Sequence, residues 1–334
     1  MCIRDRLGSG GPFNIQLSGG EPTLRDDLPN IIALGRSLGF GFIQLNTNGL
    51  RLADDPLYVR RLKDAGLNCV FLQFDGVSDK VYEQIRGTAL YEAKKTAIAS
   101  CAEHDLGVVL APTLVPGVNT AEIGNIIDFA ISRMPAVRGV HFQPISYFGR
   151  YPQEPLDEDR ITIPEVINAI EQQTGGRMNS KDFRPPAAEN PYCSFLGNYV
   201  LLGDGQLKSL TKESPAGCCY QPAAADGAKK ARDFVAKHWA TSHREINAES
   251  PSKDLQTESG MNVSSLDAFL ARVDAYSLCI SGMAFQDVWN LDLERLKECF
   301  IHVVDANSRI IPFCAYNLTN RRGNPLYRPQ RSCL

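Results

Sequence analysis

In the run Ile15-Gln16-Leu17-Ser18-Gly19-Gly20-Glu21-Pro22, an apolar segment empties into two glycines and then a carboxylate. Without Cβ atoms at Gly19 and Gly20, a ligand can approach the main chain closely. Backbone carbonyls and the Glu21 carboxylate accept hydrogen bonds, which suits the ammonium group of an amino-acid-like ligand. Pro22 fixes φ as the chain turns towards a helix. The same four residues also make an ordinary strand-to-helix turn, so the rest of the chain must decide between the two readings.

Cysteines are the second set of residues with chemistry in them. The chain has ten, many for a reducing compartment, so metal or redox work competes with simple burial as their explanation. Six fall in the second half ahead of Cys333: Cys193, Cys218, Cys219, Cys279, Cys299 and Cys314. Residues 300–313 read as a hairpin turning at Asp305 to Ser308. With Val304 paired to Arg309, Cys299 stands opposite Cys314, at a Cα separation of about 4.5–5.5 Å. That separation also fits a disulfide, but a reducing setting favours a metal or cluster. Cys279 is a third candidate ligand, with Cys193 or the Cys218-Cys219 pair as the fourth, for an auxiliary iron–sulfur cluster. Reduced structural cysteines are the alternative, and Cys218 and Cys219 also suit redox thiols. Cys69 in an apolar strand and Cys101 in a helix read as buried small hydrophobes. His141 at its strand end reads either as a residue facing a substrate or as a hydrogen-bonded structural histidine, and His302 as structural.

The elements that must position these residues follow a repeating pattern. Short apolar runs at 14–18, 42–46, 69–74, 107–112 and 139–144 alternate with helical patterns at 28–39, 56–66, 91–105 and 120–134, the signature of βα units around a parallel sheet. Right-handed crossovers lead either to a doubly wound sheet or to a barrel, and both bind ligands at the C-terminal strand ends. Polar residues gather there: Asn48 in NTNG, Asp75 in QFDG, Pro116, Gly117 and Asn119 in TLVPGVN, and Gln143 in HFQP. After a helix at 163–173 the chain grows rich in Pro, Ala, Ser and Gly, with a flexible stretch expected at 249–260. The basic helical run at 227–244 reads as a solvated face.

Composition narrows the classes further. With 334 residues, 43% of them hydrophobic, the chain can bury a sizeable core. A formal charge of -3 leaves no electrostatic footprint for nucleic acid. No apolar run approaches the ~18 residues of a membrane span, and no signal-peptide core opens the chain. The expected setting is cytoplasmic.

The strand-end residues together resemble the radical S-adenosylmethionine (SAM) superfamily, whose partial (β/α)6 barrel carries a GGE-type motif after its second strand. The longer runs LSGGEPTLRDDLP, FIQLNTNGLRL, VFLQFDGVSD, TLVPGVN, GMAFQDVWNLDLERL and IPFCAYNLT resemble one branch, which includes tetraether lipid synthase, pterin methyltransferase-like proteins and, most similar, the TrsS type. The resemblance implies an α/β fold: a partial (β/α)6 TIM-like barrel over residues 11–175, strands 2 to 6, followed by a cysteine-rich α+β region over 176–334. It implies that Gly19, Gly20, Glu21 and Pro22 hold the amino group of the methionine moiety. Asn48, Asp75, Pro116, Gly117, Asn119 and Gln143 then lie where the family contacts the ribose, carboxylate or adenine.

One feature departs from the family. The superfamily holds a 4Fe-4S cluster through three cysteines, usually CxxxCxxC, upstream of GGEP, yet only Cys2 precedes Gly19 here. One thiolate cannot replace three cluster ligands. The expectation is an N-terminally truncated chain, missing the first barrel strand, with residues 1–10 (MCIRDR onwards) non-native or truncated. A complete enzyme of this kind, fed by a reducing electron donor, cleaves SAM to a 5′-deoxyadenosyl radical that takes hydrogen from a carbon of a small-molecule or lipid-like substrate, in alkyl coupling or methylation chemistry. The fragment itself is expected to be inactive. Two other readings remain at this point: a non-radical TIM-barrel lyase or isomerase, and a metal-binding electron-transfer partner that uses only the C-terminal thiols.

Overall fold

The computed structural model describes residues 13–148, 153–186, 189–211, 239, 263–320 and 322–328. Cys2, Cys218, Cys219, residues 1–10, the stretch at 249–260 and all of 227–244 except residue 239 lie outside the described residues. The first half runs β1 (Asn14–Leu17), α1 (Leu28–Ser37), β2 (Phe42–Thr47), α2 (Leu50–Asp54), α3 (Pro56–Asp64), β3 (Cys69–Gln73), α4 (Asp79–Arg86), α5 (Tyr91–Glu103), β4 (Gly107–Ala111), β5 (Thr113–Leu114), α6 (Ile123–Ser132) and β6 (Val137–Pro144). The second half adds α7 (Ile163–Gln173), β7 (Ser194–Leu201), β8 (Leu207–Ser209), α8 (Val263–Ala275), β9 (Ser277–Met283), α9 (Leu293–Lys297), β10 (His302–Val304), β11 (Ile310–Pro312) and α10 (Phe313–Tyr316).

All five expected strands form. They lie parallel in the order β1-β2-β3-β4-β6, with β5 beside β6. The sheet then crosses the expected boundary at residue 175. Strand β9 pairs parallel with β6, β7 antiparallel with β9, and β8 with β7. The second half therefore completes the same largely parallel sheet, an architecture consistent with a partial TIM-like barrel.

Both faces of this sheet are covered, as parallel sheets require. Ile43, Leu45, Val70, Leu72, Val108, Leu110, Val140, Phe142, Leu278 and Ile280 alternate onto one face, in a core shared with helix residues such as Ile32, Leu62, Ile98 and Ile126. On the opposite face Phe42, Cys69, Phe71, Val109 and Ala111 form a smaller cluster against Trp239. Burial of the strands thus leaves their C-terminal ends, not their middles, to carry polar chemistry.

Two helices and one register differ from expectation. Helix α2 starts from Gly49 at φ 78°, where a Cβ would stand 2.4 Å from a Leu72 methyl; only glycine fits that approach. Helix α4 buries just Val81 and Tyr82 and ends on Gly87 at φ 79°. In the hairpin, Val304 pairs with Ile310, not Arg309. The Asp305 amide reaches the Arg309 carbonyl at 3.0 Å and Ser308 adopts φ 61°, so the loop holds one residue more than expected. Cys299 precedes β10 and Cys314 lies in α10, so neither belongs to the ladder and the two are not directly paired.

Candidate functional site

Glu21 organises the first strand end. Its Oε1 accepts from the Thr23 amide at 3.1 Å, the Thr23 hydroxyl at 2.7 Å and the Thr47 hydroxyl at 2.6 Å. Its Oε2 accepts from the Asn48 amide at 2.7 Å. The carboxylate is therefore spent on tying the loop after β1 to the end of β2. Gly19, at φ 121°, and Gly20 are exposed, and a Cβ added to either meets nothing within 4 Å. Pro22 begins a short 3-10 turn capped by the Glu21 side chain. The result is an open, backbone-lined cradle on a rigid base.

The next strand ends are anchored just as firmly. The Asn48 side chain caps Leu50 at 2.9 Å, and the Asn48 carbonyl accepts from Lys94 Nζ at 2.5 Å. Asp75 is fully buried and forms a two-pronged ion pair with Arg86, at 2.8 Å and 3.1 Å, while also accepting from the Thr113 amide. Asn119 is buried too; its Oδ1 accepts from Val115 N, and its Nδ2 donates to the carbonyls of Asp75 and Thr113. Both side chains thus hold loops together, which differs from the direct ligand contacts expected of them. Pro116 and Gly117 sit at the tip of the loop that Asn119 fixes, and half-buried Gln143 lies at the end of β6. The structure brings all these strand ends to one edge of the sheet.

Sequence reasoning missed Thr23, Thr47, Arg86 and Lys94, the partners that do the anchoring. It also missed Asp287, fully buried and paired with Arg160 at 3.0 Å and 3.1 Å. The Asp287 carboxylate also takes the Tyr147 amide at 2.9 Å, which joins the segment after β9 to the segment after β6. Of the two readings of His141, the structure shows the hydrogen-bonded one. Its Nδ1 lies 2.9 Å from the Ser281 hydroxyl, and burial lowers its pKa to about 4, leaving a neutral ring.

The cysteines divide into two groups. Cys193, Cys299 and Cys314 line one small pocket of about 30 Å³ that opens to solvent, beside Met283, Phe285 and Arg295. Arg295 Nε lies 3.4 Å from Cys193 Sγ, the Gln286 amide lies 3.3 Å from Cys314 Sγ, and Cys299 Sγ faces the Ile301 carbonyl at 3.0 Å. Burial raises the pKa of Cys314 to about 11 and also raises that of Cys299. Cys279 stands elsewhere: it is buried in β9, with its pKa pushed up to about 11. That departs from the expectation of Cys279 as a third ligand beside Cys299 and Cys314. Among the described residues no group of three or more His, Cys, Asp or Glu side chains is arranged closely enough to hold a metal ion. Cys69 and Cys101 are buried, as expected.

The sequence profile of the radical SAM superfamily matches residues 5–130. Across most of its length, the chain is 36% identical over 347 aligned positions to 7,8-dihydro-6-hydroxymethylpterin dimethyltransferase from Methanocaldococcus jannaschii, covering 92% of this chain and 67% of that protein. The chain belongs to the radical SAM superfamily. It is also 27% identical over 216 positions to a probable GTP 3',8-cyclase from Methanococcus aeolicus, covering 59% of this chain and 69% of that one. Among solved structures, a domain of pyruvate-formate lyase-activating enzyme from Bacteroides vulgatus aligns at 18% identity with a TM-score of 0.36, over 48% of this chain and 93% of that one.

Radical SAM relatives of this chain are enzymes, and membership removes the reading as a non-radical lyase or isomerase. It implies SAM and a 4Fe-4S cluster. The open glycine cradle leaves room for close approach by a ligand, since a Cβ added at Gly19 or Gly20 meets nothing within 4 Å. Residues 1–18 contain one cysteine, so they do not fit a three-thiolate cluster. No helix among the described residues is long and apolar enough to cross a membrane.

Proposed function

We propose that this chain is the SAM- and substrate-binding part of a radical SAM enzyme that alkylates or methylates a carbon centre, in the branch of the TrsS-type and tetraether lipid synthase-like proteins. Bound SAM supplies, on one-electron reduction by an external donor, the radical that abstracts hydrogen from carbon. The chain's own residues bind and orient it. Main-chain carbonyls around Gly19 and Gly20 accept from the methionine ammonium, Glu21 fixes their direction through Thr23, Thr47 and Asn48, and Pro116 and Gly117 border the same edge. Support for methylation or alkyl coupling comes from the 36% identity to a pterin dimethyltransferase across 92% of the chain.

Cys193, Cys299 and Cys314 are proposed as ligands of an auxiliary iron–sulfur cluster, for which the three thiols would have to draw closer together than they stand in this structure. Support comes from their shared pocket and from the N–H groups of Arg295 and Gln286 beside two of the sulfurs, since N–H donors to sulfur stabilise thiolate and tune cluster potential.

The observation that carries the SAM site is the empty space over Gly20, whose backbone also tolerates a side chain. A Gly20→Val variant keeps the fold by circular dichroism and loses SAM binding by calorimetry at least tenfold. Undiminished binding by that variant would remove the cradle from the site. After iron–sulfur reconstitution the present chain releases no 5′-deoxyadenosine, because residues 1–18 supply one thiolate. Release of 5′-deoxyadenosine by this chain overturns that part.

A further inference from the structure

The side chain of Lys94, in the first turn of α5, is fully buried. A buried ammonium needs compensation, because leaving water costs several kcal/mol. Its one hydrogen-bond partner is a neutral acceptor, the Asn48 carbonyl at 2.5 Å. The Tyr82 ring lies 5.7 Å from Nζ. Three charged groups act on it: Asp75 and Glu21 favour its proton, and Arg86 opposes it. Asp75 is already held by Arg86 and Glu21 by Thr23, Thr47 and Asn48. A lysine so placed is costly for stability alone, and a methionine would fill the same volume.

What Lys94 touches gives it another role. Asn48 is gripped on both sides: its amide donates to Glu21 at 2.7 Å and its carbonyl accepts from Lys94. Gly49 follows in the left-handed conformation, with its amide 3.0 Å from the Thr47 hydroxyl, which itself donates to Glu21. Ammonium, peptide and carboxylate therefore form one chain from the base of α5 to the Gly19–Gly20 cradle. We infer that Lys94 is a positioning residue that, through Asn48 and Glu21, sets the geometry and charge of the cradle for a zwitterionic amino-acid ligand. The inference rests on the cradle reading for its ligand, though not for its effect on the loop.

Burial lowers the pKa of Lys94 to about 8, so the grip weakens as pH rises through that value, because a charge-assisted hydrogen bond is stronger than a neutral one. The test uses the full chain with SAM as probe, comparing the wild type with Lys94→Met. Calorimetry between pH 6.5 and 9.5 is expected to find wild-type affinity falling above pH 8. The methionine variant is expected to bind about tenfold more weakly at pH 7, the loss of one charged hydrogen bond; because the α-amino group of SAM itself titrates near pH 8, both affinities fall there, and the ratio of wild-type to variant affinity is expected to shrink above pH 8. Its thermal midpoint at pH 7 should rise, since a hydrophobic isostere replaces a buried charge. Lower affinity together with higher stability separates positioning from a purely structural role, which would lower both. Equal affinity and an unchanged pH profile in the variant overturn the inference. If the wild type itself does not bind SAM, the cradle reading fails separately. Amide exchange at Asn48 and Gly49 then tests the positioning: faster exchange in Lys94→Met upholds it, and unchanged protection overturns it.

Discussion

The Thr47 hydroxyl and the Glu21 carboxylate meet at 2.6 Å across the first two strand ends. This contact makes the GGEP loop dependent on β2, because Thr47 closes that strand and is itself buried. The backbone at Gly19–Gly20 is thus positioned from below by the Glu21 carboxylate.

Replacing Glu21 by Ala removes the acceptor of the Asn48 amide, the Thr23 amide and two hydroxyls. Each buried donor left unpaired costs about 1–3 kcal/mol, but the site is half-exposed and water can replace part of the loss. The expected outcome is a fall of about 2 kcal/mol in unfolding free energy by urea denaturation. SAM affinity should fall tenfold or more. A variant that loses stability but keeps full affinity would count against a positioning role for Glu21.

Asp75→Ala tests a different kind of anchor. The carboxylate is fully buried and meets Arg86 twice, while the Arg86 side chain is 29% exposed. Removing one partner of a buried pair typically costs ~3–5 kcal/mol; the partial exposure of Arg86 favours the lower end. Urea denaturation should therefore register a larger loss for Asp75→Ala than for Glu21→Ala. A surface-like cost below about 1 kcal/mol would mean that Arg86 finds another partner.

The thiols can be sorted by metal titration. Cys314 and Cys299 have pKa values raised by burial, so both are protonated at neutral pH. Metal binding must then release protons, and affinity should grow about tenfold per pH unit for each proton released. Cobalt(II) titration followed by thiolate charge-transfer absorbance should give tighter binding at pH 8 than at pH 6.5. The signal should be abolished by Cys314→Ala and kept by Cys279→Ala, which lies outside the pocket. Loss of signal in Cys279→Ala would restore that residue to the ligand set.

How much of this was legible in the sequence differs from residue to residue. The strands from Asn14 to Pro144 were readable because doubly buried parallel strands are continuous apolar runs. Helix α4 was not, since DKVYEQIR buries only Val81 and Tyr82 and lacks a long apolar stripe. Its one local signal was Gly87, a left-handed helix stop. The pairing of β9 with β6 joins residues about 140 positions apart, which no local pattern encodes. GGEP was legible as a site, yet the duty of Glu21 was not, because Thr47 and Asn48 approach it only through the sheet. The hairpin register differed by one loop residue, with Ser308 in the left-handed region shifting the pairing from Arg309 to Ile310, and Cys314 falls in helix α10 past the strand, yet Cys299 and Cys314 still line one pocket.

Lys94 was hidden in YEAKK, where a lysine on a helix reads as solvated, and its burial yields a prediction about stability. Its folded pKa, about 8, lies below the ordinary 10.5. Between those values the unfolded chain binds more protons than the native one, so stability rises with pH across that window. Below pH 8 the lysine is charged in both states and the full cost of burying the charge is present, about 3 kcal/mol for such a shift. Lys63, also lowered by burial, and the phenols of Tyr82 and Tyr199, raised by burial, titrate in or near the same range. The difference between wild type and Lys94→Met cancels their contributions. That difference, from urea denaturation at pH 7 and pH 9.5, should shrink as pH rises. A difference that stays constant would mean Lys94 keeps its proton in the folded protein throughout, held by Asp75 and Glu21 more strongly than burial opposes it.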